Sequence, residues 1–454
     1  MPAYYATHAL LPEGWARDVR IEVDAAGWIL AVAPGGARHE AELLRGPLLP
    51  GMPDVHAHAF QRAMAGLAER AGAAGGDSFW TWRERMYAFL ARLTPEHAHA
   101  IARQLYVELL RHGYTAVAEF HYLHHRPDGS AYAPPTAMAA AHLAAARDAG
   151  IAITLLPALY SHGGFGGQPL GSAQRRFATG VDGVVSMVVA LREHATPDAR
   201  LGIAPHSLRA VDEAGLRRLL HALPPDLPVH LHLAEQVREV DDCIAWSGQR
   251  PVQWLLARFP VDQRWCLVHC THVTPAETDA LAATGATVAL CPTTEANLGD
   301  GIFPLARYLA AGGRIGIGSD SNVCRNPAEE LRWLEYGQRL ASRSRAIAAT
   351  QPGQSVGATL WRAALAGGAQ TMDRRMGMLA AGTRADLVVL DAAHPALEEL
   401  EGDDLLDALV FATDATPVRD VMVGGRWMVR DGHHAREEEI AAAWAAARRD
   451  LLAG

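Results

Sequence analysis

The chain has 454 residues, 50% hydrophobic and 20% charged, with a formal net charge of −9, and every one of its 41 basic residues is an arginine. This is the composition of a globular protein with enough apolar material for a barrel and a smaller domain. The dispersed charge offers no footprint for nucleic acid or an anionic membrane, and charges such as Arg147, Asp148 and Arg192 interrupt every apolar run that nears a bilayer's width. The lack of lysine excludes a lysine Schiff base, a Walker-type phosphate lysine and a carbamylated lysine bridging two metals.

Residues 1–7 have neither the basic region nor the apolar core of a secretory signal, so a cytoplasmic protein is expected. Residues 18–24 alternate and residues 28–33 are mostly apolar, with Ala25-Ala26-Gly27 between them, which predicts hairpin strands. Residues 49–62 then run through two prolines into His56 and His58. On a strand, residues two apart share a face, so both imidazoles would converge on one point and supply half of a metal site.

From there strand-like runs at 49–56, 114–120, 151–157, 201–204, 229–233, 266–269, 287–291 and 314–318 alternate with helical patterns. The helices carry their own punctuation. Thr94 and Pro95 open one that can run to Arg111 before Gly113, Thr274-Pro-Ala-Glu277 fits a capping box, and Asn326-Pro327 with Glu329 is a looser version. Cys243, Cys266, Cys270, Cys291 and Cys324 form no C-x-x-C pair and read as buried thiols. Residues 385–391 and 418–429 return to β character, with Gly424-Gly425 as a tight turn. The expected fold class is α/β: a (β/α)8 TIM-type barrel over residues 49–377, and a small β-sandwich-like domain built from residues 1–48 and 378–454.

In such barrels functional groups sit at the C-terminal ends of the strands. His56 and His58 end the first; His121 and Tyr122 follow the second; Tyr160, Ser161 and His162 follow the third and lead into residues 163–167, Gly-Gly-Phe-Gly-Gly, expected as a flexible lid. His206 and Arg209 follow the fourth, His232 and Glu235 the fifth, His269 and His272 the sixth, and residues 319–322 the eighth. His230 falls in mid-strand and reads as a core residue.

H-x-H on the first strand, histidines ending the fifth and sixth, and aspartate ending the eighth together resemble the amidohydrolase superfamily over nearly the whole chain. Where that superfamily's bridging lysine lies, on the fourth strand, this sequence has Ala204-Pro205-His206, which fits the single-metal subtype. The resemblance implies that His56, His58, His232 and Asp320 hold one divalent ion, with zinc expected and iron or manganese compatible. Three imidazoles and one carboxylate would leave a +1 centre suited to activating water and polarising an electrophile. Glu235, in His232-Leu-Ala-Glu, resembles the glutamate that carries protons to the leaving nitrogen in single-metal deaminases, while Asp320 and His269 are placed beside the attacking water.

Four longer stretches, 56–69, 79–87, 119–125 and 206–209, are similar to the formimidoylglutamate deiminase family. That implies hydrolytic deimination of N-formimino-L-glutamate to N-formyl-L-glutamate and ammonia, in histidine degradation. A dicarboxylate of this kind needs planar cationic donors, for which Arg209 and Arg83 are the candidates, with Gln61, Tyr122 and His206 completing the substrate wall. A nucleobase or nucleoside deaminase would want aromatic faces rather than two arginines. A metal-free barrel kept as a binding protein would have no need of the four ligands. By superfamily analogy a homodimer is expected, with no nucleic-acid or membrane partner.

Overall fold

The computed structural model describes residues 1–70 and 78–453, so residue 454, the last of the expected small domain, lies outside it. Five strands come first: β1 (Ala3–Leu11), β2 (Gly14–Val23), β3 (Ile29–Ala33), β4 (Glu42–Leu43) and β5 (Leu48–Pro50). The central strands are β6 (Met52–Ala57), β7 (Tyr114–His121), β8 (Ala152–Leu159), β9 (Ala199–Leu201), β10 (Ala204–Pro205), β11 (Val229–Leu233), β12 (Trp265–His269), β13 (Thr287–Leu290) and β14 (Arg314–Ile317). Four more close the chain: β15 (Leu387–Leu390), β16 (Val418–Val423), β17 (Arg426–Arg430) and β18 (His433–His434).

The central strands pair in parallel as two arcs, β6 to β10 and β11 to β14. Pairing of Ile203 with Val229, Ser207 with His232 and Ala57 with Asp320 joins the arcs into a closed barrel. Strands β6, β7, β8, β11 and β12 are buried at every residue, as expected of parallel strands covered by helices outside and side chains within. The seam between β6 and β14 matters most for the site. The Asp320 N–H donates to the His56 carbonyl at 2.8 Å and the His58 N–H donates to the Asp320 carbonyl at 3.0 Å, so three chemistry-bearing residues share one ladder.

Local signals account for most boundaries. The helix Pro95–Arg111 starts where the Thr94 hydroxyl accepts from the His97 N–H, and the chain leaves it at Gly113, whose φ of +93° suits glycine. The Thr274 capping box is formed in full. Asn326 caps the helix Pro327–Ser342 through the Ala328 N–H, but Glu329 turns to Cys324 instead of completing a box.

Two strand predictions shift. The run expected at 49–56 divides at Gly51: Leu48–Pro50 joins the terminal sheet and the barrel strand begins at Met52. A Cβ on Gly51 would lie 2.1 Å from the Thr115 hydroxyl, so the chain crosses between sheets where only glycine fits. The fourth strand, expected at 201–204, is two short pieces with Gly202 between them, wedged against Leu156 and Pro228.

The terminal strands form one nine-stranded sheet in the order β18-β17-β16-β15-β5-β1-β2-β3, with β4 beside β1. It carries a core of its own, including Ile21, Leu48, Leu387 and Met422. Gly424 and Gly425, both at positive φ, make the β16–β17 turn, and a Cβ on Gly27 would lie 1.9 Å from the Gly424 carbonyl, so the two hairpin turns abut. No described helix is long and apolar enough to cross a membrane.

Candidate functional site

The C-terminal ends of the barrel strands surround one pocket. His58, His232, Glu235, His269 and Asp320 lie at its floor, and Gln61, Arg83, Tyr122, His206 and Arg209 line its sides. His56, fully buried just beneath, has its Nε2 3.2 Å from His232 Nε2 and 3.5 Å from Asp320 Oδ1; His58 Nε2 is also 3.5 Å from that oxygen.

Tautomers can be read from the partners. His58 Nδ1 lies 2.9 Å from the Phe120 carbonyl and His232 Nδ1 lies 3.0 Å from the His206 carbonyl. A carbonyl only accepts, so each Nδ1 carries the proton and each Nε2 turns a lone pair inward. Burial holds all three imidazoles below the usual histidine range, His56 at about 3. Burial opposes ionisation of Asp320, but contact with His56, His269 and His58 outweighs it and keeps the carboxyl below its ordinary value. Neutral imidazole nitrogens and a carboxylate oxygen thus converge, with the ligand atoms of His56, His58 and His232 all within 4.8 Å of one another. Lone pairs facing one another in a buried space fit a cation and little else.

A hydrogen-bonded frame underlies these side chains. The Ser319 hydroxyl is 2.6 Å from Asp54 Oδ2 and 2.8 Å from Asn322 Oδ1, while Asn322 Nδ2 donates to the carbonyls of His58 and Asp320 at 2.9 Å each. Those two carbonyls fix the amide's orientation, so its oxygen faces Ser319 and shares the single hydroxyl proton with Asp54. Burial pushes the Asp54 carboxyl up to about 7. Its other oxygen accepts from the Ser319 and His56 N–H groups, tying β6 to the residues that follow β14.

His269 Nε2 is 3.8 Å from both Glu235 Oε1 and Asp320 Oδ2. Burial alone would lower this imidazole, but Glu235, the hydrogen bond with Glu295 and Asp320 raise it to about 10. Burial raises Glu235 above the usual carboxylate range, against the pull of His269 and Arg209.

The side walls are cationic and aromatic. Arg209 Nη2 lies 3.6 Å from Glu235 and 3.8 Å from Glu239, and its Nη1 is buried without a hydrogen-bond partner. Arg83 lines the pocket while its guanidinium sits 4.5 Å over the Trp80 ring, so it is at once a stacked and a pocket-facing arginine. Gln61 donates to the Tyr122 hydroxyl at 3.2 Å and keeps a buried, unpartnered carbonyl oxygen. The His206 ring packs 4.9 Å from His232, and burial keeps it well below its ordinary range.

Several neighbours of these residues point elsewhere. His121 faces away from the pocket to pack on His124 and His142, because alternation sends Phe120 and Tyr122 inward and His121 outward. His162 sits 3.6 Å from Asp212, and His272 packs beside Gly301. His230 lies 3.3 Å from the Thr371 carbonyl, away from the ligand cluster. The run 163–167, expected as a flexible loop that could act as a lid, forms a turn in which Gly164 bridges to Gln168 and Phe165 stacks on Trp246, with Gly163 lining the pocket. All five cysteines are buried and unpaired. Sequence reasoning made no assignment at the seventh strand, yet Thr294 lines the pocket there and Glu295 contacts His269; Tyr87, Ser207 and Ser321 were likewise unassigned.

Comparison with known proteins agrees with this geometry. Residues 48–428 match the model of the amidohydrolase family, and residues 1–44 match that of the N-terminal domain of the formimidoylglutamate deiminase HutF. The chain is 55% identical over 453 residues to the formimidoylglutamate deiminase of Pseudomonas aeruginosa, covering 100% of both. An amidohydrolase crystal structure from Brucella melitensis superposes with a TM-score of 0.94 at 46% identity, covering 100% of each chain. An adenosine deaminase from Xanthomonas campestris, solved with bound zinc, shares the fold at a TM-score of 0.81 and 23% identity, covering 100% of this chain and 98% of that one. The chain belongs to the amidohydrolase family and, within it, to the formimidoylglutamate deiminases.

Proposed function

We propose that this pocket hydrolyses the formimidoyl group of N-formimino-L-glutamate, releasing ammonia and N-formyl-L-glutamate in histidine degradation. His56, His58, His232 and Asp320 would hold one divalent ion, zinc, which would supply Lewis-acid polarisation and water activation.

The chain's own groups divide the remaining work. Arg209 and Arg83 bind and orient the two substrate carboxylates, with Tyr122, Gln61 and His206 shaping the wall between them and the floor. Water attacks the formimidoyl carbon, Asp320 Oδ2 takes its proton, and His269 Nε2, 3.8 Å from that oxygen, hydrogen-bonds the same water. Glu235, whose Oε1 is 3.8 Å from that same nitrogen, delivers protons to the imino nitrogen. The carbon–nitrogen bond then breaks, ammonia leaves and the formyl carbonyl forms.

The observation that carries this reading is the pairing of opposite chemistries in one pocket. Converging lone pairs lie at the floor, and a buried guanidinium with a free Nη1 lies on the wall. Aromatic rings such as Trp82 and Phe177 also line the pocket, as in a purine site, but two guanidinium groups suit a dicarboxylate better than a neutral base. Ammonia release by zinc-loaded protein offered formiminoglutamate, guanine and cytosine separates the readings: turnover is expected with the first alone, and preferential turnover of a nucleobase would overturn the proposal.

A further inference from the structure

His269 is oriented differently from the other imidazoles at the floor of the pocket. His58 and His232 give their Nδ1 protons to backbone carbonyls, which no substitution at those partners removes. The Nδ1 of His269 instead lies 3.2 Å from a side chain, Glu295 Oε1. That oxygen already accepts the Cys291 N–H at 2.9 Å, so it faces the imidazole as an acceptor. Glu295 is itself fixed: it is nearly buried on the helix Pro292–Leu298, and its own carbonyl takes the Asp300 N–H at 2.9 Å.

The backbone at His269 gives this contact more to do. His269 and Cys270 have φ of +69° and +51°, a left-handed conformation that residues other than glycine adopt only where surroundings impose it. This kink at the end of β12 aims the ring across the pocket, with Nε2 3.8 Å from Glu235 and from Asp320. Among the described residues, Glu295 is the only hydrogen-bonding partner of the ring's Nδ1 edge.

We infer that Glu295 is the positioning residue for His269, holding the ring by its Nδ1 proton so that Nε2 faces the reacting atoms. The inference rests on the reading of His269 as a group beside the attacking water. It explains why a buried side chain stands behind this histidine: a carboxylate oxygen already taken by the Cys291 N–H leaves the ring one fixed acceptor for its Nδ1 proton.

Three measurements on the zinc-loaded full chain test it. Glu295→Gln should keep metal content and KM within about twofold while kcat falls about 10- to 100-fold, because an amide can turn its NH2 to the ring and no longer holds the Nδ1 proton in place. In a His269→Asn background the same substitution should cost no more than about twofold, since Glu295 acts through the imidazole it orients. Full, multiplicative losses from the two changes would overturn the inference, as would wild-type kcat in Glu295→Gln. The third needs no Glu295 variant to fold. In wild-type protein labelled with 15N-histidine, the His269 signals, identified by their loss in His269→Asn, should show a protonated Nδ1, and an unprotonated Nδ1 would refute the assignment outright. Normal turnover by His269→Asn would instead sink the reading of the site, and the nitrogen shifts would still decide what Glu295 does to the ring.

Discussion

Asp54 shows how much one proton can decide. Ser319 has one hydroxyl hydrogen for two acceptors, Asp54 and Asn322; an Asp54 that carries its own proton satisfies both contacts, and an asparagine could do the same with its NH2. Asp54→Asn should therefore retain metal and stay within about fivefold of wild-type kcat/KM, whereas Asp54→Leu leaves the buried N–H groups of His56 and Ser319 unpaired and should lose metal on dialysis. Steady-state kinetics and elemental analysis on the same preparations decide the matter, and an inactive, metal-free Asp54→Asn would show that the charged form is required. Glu235→Gln and His269→Asn should keep the ion and lose about 10²- to 10⁴-fold in kcat, the usual value of a general acid or base. Normal kcat per bound metal in either would remove that residue from the mechanism. Arg209 has two duties, since its Nη2 faces Glu235 while its Nη1 is free. Arg209→Met should lower kcat/KM by about two to four decades with metal content unchanged, and near wild-type efficiency would show that the carboxylates bind elsewhere.

At the scale of elements, the site depends on two loops being held together. Glu108, on the helix Pro95–Arg111, pairs with Arg62 at 2.7 Å beyond His58 and with Arg325 at 3.2 Å beyond Asp320. Burial works against the ionised carboxylate, but the two arginines prevail and hold its pKa below the usual value. Glu108→Ala should lower the melting temperature by about 5 °C and hasten metal loss to a chelator, because two partly buried guanidinium groups lose their common partner. Unchanged chelation kinetics would make this cluster a surface feature only. Such cross-links were illegible in the sequence, where Arg62, Glu108 and Arg325 share no motif. What was legible is what periodicity and capping express locally: the strand 229–233, the helix opened by Thr94, and the Gly424-Gly425 turn. Alternation decides the inward set, which is why Tyr122 lines the pocket and His121, expected at the mouth, packs behind the strand. Glu295 escaped because Pro292-Thr-Thr-Glu295 reads as nothing more than a helix start.

For the whole molecule, the barrel and the terminal segment are tied through Asp198, just before β9, which pairs at 2.8 Å with Arg374 and with Arg384. Burial would raise this carboxyl, yet the two guanidinium groups hold it below its ordinary value. A depressed folded pKa contributes stability above the unfolded value, near 4, and loses it as pH falls through the folded value. Asp198→Asn should therefore melt earlier than wild type at pH 7, with the gap closing below about pH 4; a gap independent of pH would show that packing, not charge, is what the substitution disturbs. The pairing of both chain ends in one sheet was visible in their shared β character, but β1, rich in alanine, was not, and neither was the crossing at Gly51, which only the approach of Thr115 explains. The central claim is that Glu235 serves the imino nitrogen, so that the bond to ammonia and not the bond to glutamate is cut. Following substrate carrying 13C in its formimidoyl carbon by NMR tests this directly. The account predicts N-formylglutamate and ammonia in equal amounts, and formamide with free glutamate would contradict it.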